Sequence, residues 1–143
     1  TASCPASEEA KPDSGLTEKT LAQMIQCECC EAAIYRSLAA QGPKCARERL
    51  LRIAEDERCH AKQLGALYFL MTGKKYCPEP VRGACTACFN EALRKQYQAE
   101  LEAEARYAKL AVRAGEQACT FETLSRDEGR HAQTIYCILQ QTL

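Results

Sequence analysis

The chain contains two histidines, and each stands three residues after a glutamate: Glu57-x-x-His60 and Glu128-x-x-His131. On an α-helix, positions three apart lie on one face about one turn from each other. A carboxylate and an imidazole so placed can bind one metal ion. The surrounding sequence repeats with the pair. Glu28 is followed seven residues later by Tyr35, and Glu100 seven residues later by Tyr107. The copies are separated by 72 residues at the Glu and Tyr positions and by 71 at Glu-x-x-His. Leu21 matches Leu93 and Leu38 matches Leu110 at the same shift. The chain therefore reads as two related halves, each supplying Glu, Tyr and Glu-x-x-His.

The pattern around these motifs predicts an all-α fold. Residues 1–15 are polar, carry two prolines and show no periodicity, so they are expected to form a loose N-terminal tail, with a single domain over 16–143. Thr17 is a good N-cap, and Leu21, Met24, Glu28, Glu31, Tyr35 and Leu38 form one stripe at helical spacing up to about Gln41. Gly42-Pro43 ends that helix and starts the next, which runs to Thr72 before Gly73 and turns Leu50, Ile53, Glu57, His60, Leu64 and Leu67 inward. Residues 73–84 hold two prolines and two glycines and are expected to be extended. Twelve such residues reach about 40 Å, the length of a 27-residue helix, so this connection can cross the whole bundle. A third helix is predicted from about Cys85 to Ala114, facing in with Leu93, Gln96, Glu100, Ala103, Tyr107 and Leu110. A fourth, from Glu116 to Gln141, presents Phe121, Leu124, Glu128, His131, Ile135 and Ile138.

The hairpin geometry puts the ligands at one height. Glu28 and Glu57 lie 14 and 15 residues from Gly42, and Glu100 and Glu128 lie 15 and 13 from Gly115. Each is about 20 Å from its turn. If the long connection sets the hairpins antiparallel, all four glutamates and both histidines meet at mid-bundle. Four buried carboxylates would repel at a cost of several kcal/mol each unless compensated. Two divalent cations neutralise them. Carboxylate and neutral imidazole suit iron or manganese, with zinc a possible occupant, and the lack of thiolate argues against a structural zinc site. Glu57 and Glu128 are expected to bridge, Glu28 and Glu100 to cap one ion each, and His60 and His131 to bind one ion each.

Composition bears on function by exclusion. Net charge is zero, with 19 basic and 19 acidic residues interspersed, so neither a nucleic-acid surface nor a polybasic membrane patch is expected. No apolar run approaches the 18 or so residues of a spanning helix. The chain has eleven cysteines, an odd number, which together with the absence of an export signal favours a reducing cytoplasm over a disulfide framework.

The motifs Glu28-x6-Tyr35, Gly42, Glu57-x-x-His60-Ala61, Glu100-x6-Tyr107 and Glu128-x-x-His131-Ala132 resemble those of the rubrerythrin branch of the ferritin-like superfamily, over about residues 17–142. The resemblance implies a ferritin-like four-helix bundle with a long crossover between helices 2 and 3. It also implies a di-iron site reducing hydrogen peroxide to water, and often a homodimer, sometimes with exchanged hairpins. This chain shows no stretch resembling a rubredoxin domain, so a peroxidase would take electrons from a separate donor such as a rubredoxin. The family's extra glutamate, three residues after the third-helix ligand, is replaced by Ala103. Glu31 occupies the pseudo-symmetric position in the first helix and is expected to act as a seventh ligand, a further carboxylate near the His131 metal. A ferroxidase or iron-binding role is the alternative function. Dioxygen activation for hydroxylation of an organic substrate ranks third.

Other residues stay open between two roles. The Tyr35 and Tyr107 hydroxyls either hydrogen-bond a ligand carboxylate across the bundle or are satisfied elsewhere. Asp56 and Asp127, four residues before the histidines, either orient an imidazole N–H or form a solvated flank. Cys27, Cys29, Cys30 and Cys59 are expected to be free and buried as small hydrophobes. Cys85-x-x-Cys88, with Cys77 nearby, is a candidate redox dithiol or second metal site.

Overall fold

The computed structural model describes residues 15–81 and 88–143 and is built of four long helices. They are α1 (Glu18–Gln41), α2 (Lys44–Thr72), α3 (Phe89–Arg113) and α4 (Ala118–Thr142), with a short 3-10 turn, Gly115–Gln117, before the last. Local chemistry sets the ends. Thr17 caps α1 by accepting from the Thr20 N–H at 3.0 Å. Gly42 and Pro43 make the α1–α2 corner, with Pro43 as the N-cap of α2. Gly73 closes α2 in the left-handed conformation at φ 72°, which an L side chain rarely adopts.

The direction of each helix follows from contacts at the bundle's ends. Phe89, opening α3, lies against Gly42. Asn90 bonds Thr142 at the end of α4, the Thr142 hydroxyl donating at 3.0 Å. The start of α3 therefore sits beside the α1–α2 corner, at the opposite end from Gly73. α2 and α3 run the same way, so the connection leaves α2 at one end of the bundle and meets α3 at the other. Its first part lies along α1. The Gln26 amide donates to the Glu79 carbonyl at 3.2 Å and accepts from the Glu79 N–H at 2.9 Å.

Two apolar clusters fill the interior. One joins Tyr35, Leu38, Leu50, Ile53, Leu93, Ile135 and Ile138 near the Gly42 end. The other joins Leu21, Met24, Leu64, Tyr68, Tyr107, Phe121 and Leu124 near the Gly73 end. Between them lies a buried layer of glutamate and histidine.

The predicted helices differ from these in detail. α3 begins at Phe89 with Cys88 as its N-cap; Cys85 and the rest of 82–87, like residues 1–14 of the expected tail, lie outside the described residues. α4 begins two residues late because Gly115, at φ 55°, opens a 3-10 turn instead. Leu67 and Leu110 are half-buried, and their neighbours Tyr68 and Ala111 take the inward positions.

A Cβ at Gly42 would collide with the Phe89 ring. Gly42→Ala must push that ring off the apolar cluster near the Gly42 end and is expected to lower stability by about 1–3 kcal/mol in chemical denaturation. An unchanged unfolding midpoint would contradict this packing.

Candidate metal centre

Each side chain of the buried layer arrives by helical register. α1 contributes Glu28, α2 contributes Glu57 and His60, α3 contributes Glu100, and α4 contributes Glu128 and His131, all at most 4% exposed. The imidazole rings lie 5.9 Å apart, centre to centre. Two four-residue constellations result: Glu28, Glu57, His60 and Glu128, and Glu57, Glu100, Glu128 and His131. In each, the ligand atoms lie within 4.8 Å of one another. Glu57 and Glu128 belong to both, as expected of bridging carboxylates.

Four of the ligands, Glu28, Glu100, His60 and His131, are held from outside so that one atom of each is left facing in. The Tyr107 hydroxyl donates to Glu28 Oε1, and the Tyr35 hydroxyl donates to Glu100 Oε1 at 2.5 Å. Of the two roles open to these tyrosines, the structure selects the carboxylate anchor. Burial and the neighbouring carboxylates raise both phenols well above their ordinary value, so they remain protonated donors. His60 Nε2 pairs with Asp127 Oδ2 at 2.9 Å, and His131 Nε2 pairs with Asp56 Oδ2 at 2.8 Å. The aspartates do orient the imidazoles, but each serves the histidine of the other half rather than the one four residues after it. With Nδ1 turned into the cage, Nε2 projects across to the opposite helix, beyond reach of an aspartate on its own.

The inward atoms are short of partners. Glu28 Oε2, both Glu57 oxygens, His60 Nδ1, Glu100 Oε2, Glu128 Oε1 and His131 Nδ1 are buried without a hydrogen bond. Among the described residues, every buried side-chain nitrogen or oxygen in that condition belongs to these six. His60 Nδ1 lies 3.0 Å from Glu128 Oε1, and His131 Nδ1 lies 2.7 Å from Glu57 Oε1. Unsatisfied buried polar atoms are costly. Convergent oxygens and imidazole nitrogens are the donor set that hard and borderline divalent cations take. The six residues fit a metal site, and they are the six singled out by the sequence.

Without metal the same groups must share protons. Burial pushes Glu57 up to about 8 and Glu128 up to about 9, against the nearby histidines, which pull the other way. Burial also opposes charge on the histidines. The carboxylates close by, Glu128 and Glu28 for His60 and Glu100 and Glu57 for His131, nevertheless raise both, His131 to about 11. Glu28 is also buried, but its contacts with His60, Glu57 and Tyr107 hold it below its usual value.

Beside the cage, between α1 and α3, lies a cavity of about 110 Å³ lined by Cys27, Glu28, Glu31, Glu100, Glu102, Ala103, Arg106 and Glu128 among others. Glu31 is in its wall, half-buried, and accepts from the Gln96 amide. Burial pushes its carboxyl up to about 7, with Glu100 the stronger of its two carboxylate neighbours. The duplicated positions across the pseudo-symmetry are Met24 and Ala103, which share the apolar cluster near the Gly73 end. The polar pair Glu31 and Gln96 thus has an apolar counterpart in the other half.

The cysteines depart from expectation. Cys27 and Cys59 are exposed rather than buried, and Cys29 and Cys30 are half-buried. Partial burial and the Glu31 and Glu28 carboxylates push the Cys27 thiol up to about 12. The nine cysteines within the described residues are free thiols; Cys4 and Cys85 lie outside them. Among the described residues, no helix is long and apolar enough to cross a membrane.

No family model matches the chain, and no curated protein matches it either. Among solved structures it is similar to a hypothetical protein from Pyrococcus furiosus. The TM-score is 0.76 at 22% identity, over 86% of this chain and 87% of that one. That likeness concerns the fold, which is an all-α four-helix bundle. Its buried glutamates and histidines make it a bundle able to hold metal.

Glu57 and Glu128 keep their protons to about 8 and 9 in the folded chain but only to about 4.5 when unfolded. Between those values the folded state binds more protons, and the raised histidines act in the same direction above their ordinary value. Stability of the metal-free protein must therefore fall as pH rises through this window. Thermal unfolding after chelation is expected to show a lower midpoint at pH 9 than at pH 6. A midpoint that is flat or rises over that range would contradict the shared-proton cage.

Proposed function

We propose that the chain is a non-haem di-iron oxidoreductase that reduces hydrogen peroxide with electrons from a separate carrier. The supporting observation is the pair of Glu/His constellations sharing Glu57 and Glu128 beside a cavity of about 110 Å³. Such a space admits peroxide or dioxygen with a few waters, at about 30 Å³ for a water. It is far below the roughly 300–1,000 Å³ typical of organic-ligand pockets, which disfavours hydroxylation of an organic substrate.

Two ferrous ions, when bound, supply one electron each to the O–O bond. Glu28 and His60 would hold one ion and Glu100 and His131 the other, with Glu57 and Glu128 common to both. Tyr35 and Tyr107 fix the capping carboxylates, and Asp127 and Asp56 fix the imidazoles, so the ligand atoms are placed before the oxidant arrives. Each peroxide takes two electrons and two protons and leaves as two waters. Glu31, in the cavity wall, is positioned to hold a proton beside the incoming molecule. It is also the extra carboxylate available to the His131 side, held back by Gln96. The reaction belongs in a reducing cytoplasm.

The cavity's lining by Glu31 and Glu102 also favours a second reading, in which ferrous ions enter by this route and are oxidised and passed on. Stopped-flow mixing of the diferrous protein with peroxide and with dioxygen separates the two. Faster oxidation by peroxide, with no more than two irons turned over per chain, is expected. Faster oxidation by dioxygen with continued iron uptake would replace the peroxidase by a ferroxidase.

A further inference from the structure

The outer face of the α1–α2 hairpin carries a groove of about 610 Å³, bounded by α1, α2 and the first part of the long connection. Its apolar walls include Ile25, Ala66, Phe69, Tyr76 and Pro78, and Phe69 is 54% exposed. The groove is open because Gly65 leaves the outer face of α2 bare, with nothing within 4 Å of where a Cβ would stand. The wall formed by the connection is fixed in place. Tyr76 packs edge-on against Tyr68 at 5.5 Å and donates to Gln26 at 3.4 Å.

The duplication supplies an internal comparison. At the 71-residue shift, Gly65 becomes Tyr136, while Arg58 and Lys62 become Gly129 and Gln133. The second half thus has a bulky side chain where the first is bare and neutral residues where the first is cationic. Three cations, Arg58, Lys62 and Lys75, line the groove, and no carboxylate does. Arg58 shares its charge with Glu55 at 2.6 Å. Among the described residues, Lys62 and Lys75 form no ion pair.

This groove backs onto the metal centre. Cys29, Arg58 and Ala61 line it, and their chain neighbours are the ligands Glu28, Glu57 and His60. A molecule seated there is separated from the cage by about one helix diameter, roughly 10–12 Å. Repeated peroxide reduction requires electrons from outside the chain.

We propose that the groove docks a small acidic one-electron carrier protein, whose apolar centre covers the walls and whose acidic rim meets Lys62, Lys75 and Arg58. The proposal rests on the peroxidase reading. Two carrier molecules each lose one electron for every peroxide reduced, and two protons from solvent complete two waters. A second copy of the chain fits less well. A two-fold contact here would gather the unpaired lysines of both copies around one axis, and like charges brought together across an interface are costly.

The test uses the iron-loaded protein, reduced rubredoxin as an acidic carrier, and Lys62→Glu combined with Lys75→Glu, both exposed positions away from the cage. Rubredoxin should bind the wild type in calorimetry and reduce it at a rate that falls with added salt. In the double variant that rate should drop about tenfold or more, as expected when steering charge is reversed, and binding should weaken in parallel. Reduction by dithionite, which needs no docking, should be unchanged. Equal rubredoxin rates and affinities in the two proteins, or no rubredoxin binding to the wild type, overturn the proposal. So does a dimer-to-monomer shift of the variant in sedimentation with the rubredoxin rate intact, which would give the groove to a second copy. If dithionite-reduced wild type leaves peroxide untouched, the peroxidase reading fails separately, and calorimetry alone then judges the docking surface.

Discussion

Four carboxylates packed between two apolar clusters are the constraint on which the rest of this molecule depends. Burial alone would make each of them costly as an anion. The chain does not bury them with enough donors to satisfy every oxygen: the inward atoms of six side chains are left without hydrogen bonds. Proton sharing with His60 and His131 relieves part of the charge, and two divalent cations would relieve it all. A layer that is poorly satisfied by protein alone is well described as a site prepared for metal.

The same layer joins the two halves. Every hydrogen bond that anchors a ligand from outside crosses from one hairpin to the other: Tyr107 to Glu28, Tyr35 to Glu100, Asp127 to His60 and Asp56 to His131. The hairpins dock through the support of their site as well as through apolar packing. Binding metal therefore adds to the cohesion of the fold, since any ligand that favours the folded state stabilises it.

Much of this was legible in the sequence because helical register is a one-dimensional property. The spacing of Glu28, Glu57, Glu100 and Glu128 from Gly42 and Gly115 set their heights, and the 3.6-residue period set their faces. What remained open depended on how one hairpin sits on the other. Asp56 and Asp127 were visible as neighbours of a histidine, but which histidine each serves is decided across the bundle. The exposure of Cys27 and Cys59 likewise depends on which flanks the second hairpin covers. The groove at Gly65 was missed, although a signal was present: comparing the halves residue by residue sets Gly65 against Tyr136 and Lys62 against Gln133. Glu31 was legible for the same reason, as the partner of Ala103.

The six side chains at the waist of the bundle are placed to surround a pair of cations. Crystals of the iron-loaded protein, measured on either side of the iron absorption edge, test this arrangement most directly. Two anomalous peaks about 3.5–4 Å apart are expected, one beside His60 Nδ1 and the other beside His131 Nδ1, with Glu57 and Glu128 between them. A single peak elsewhere, or no peak within the layer, would contradict it.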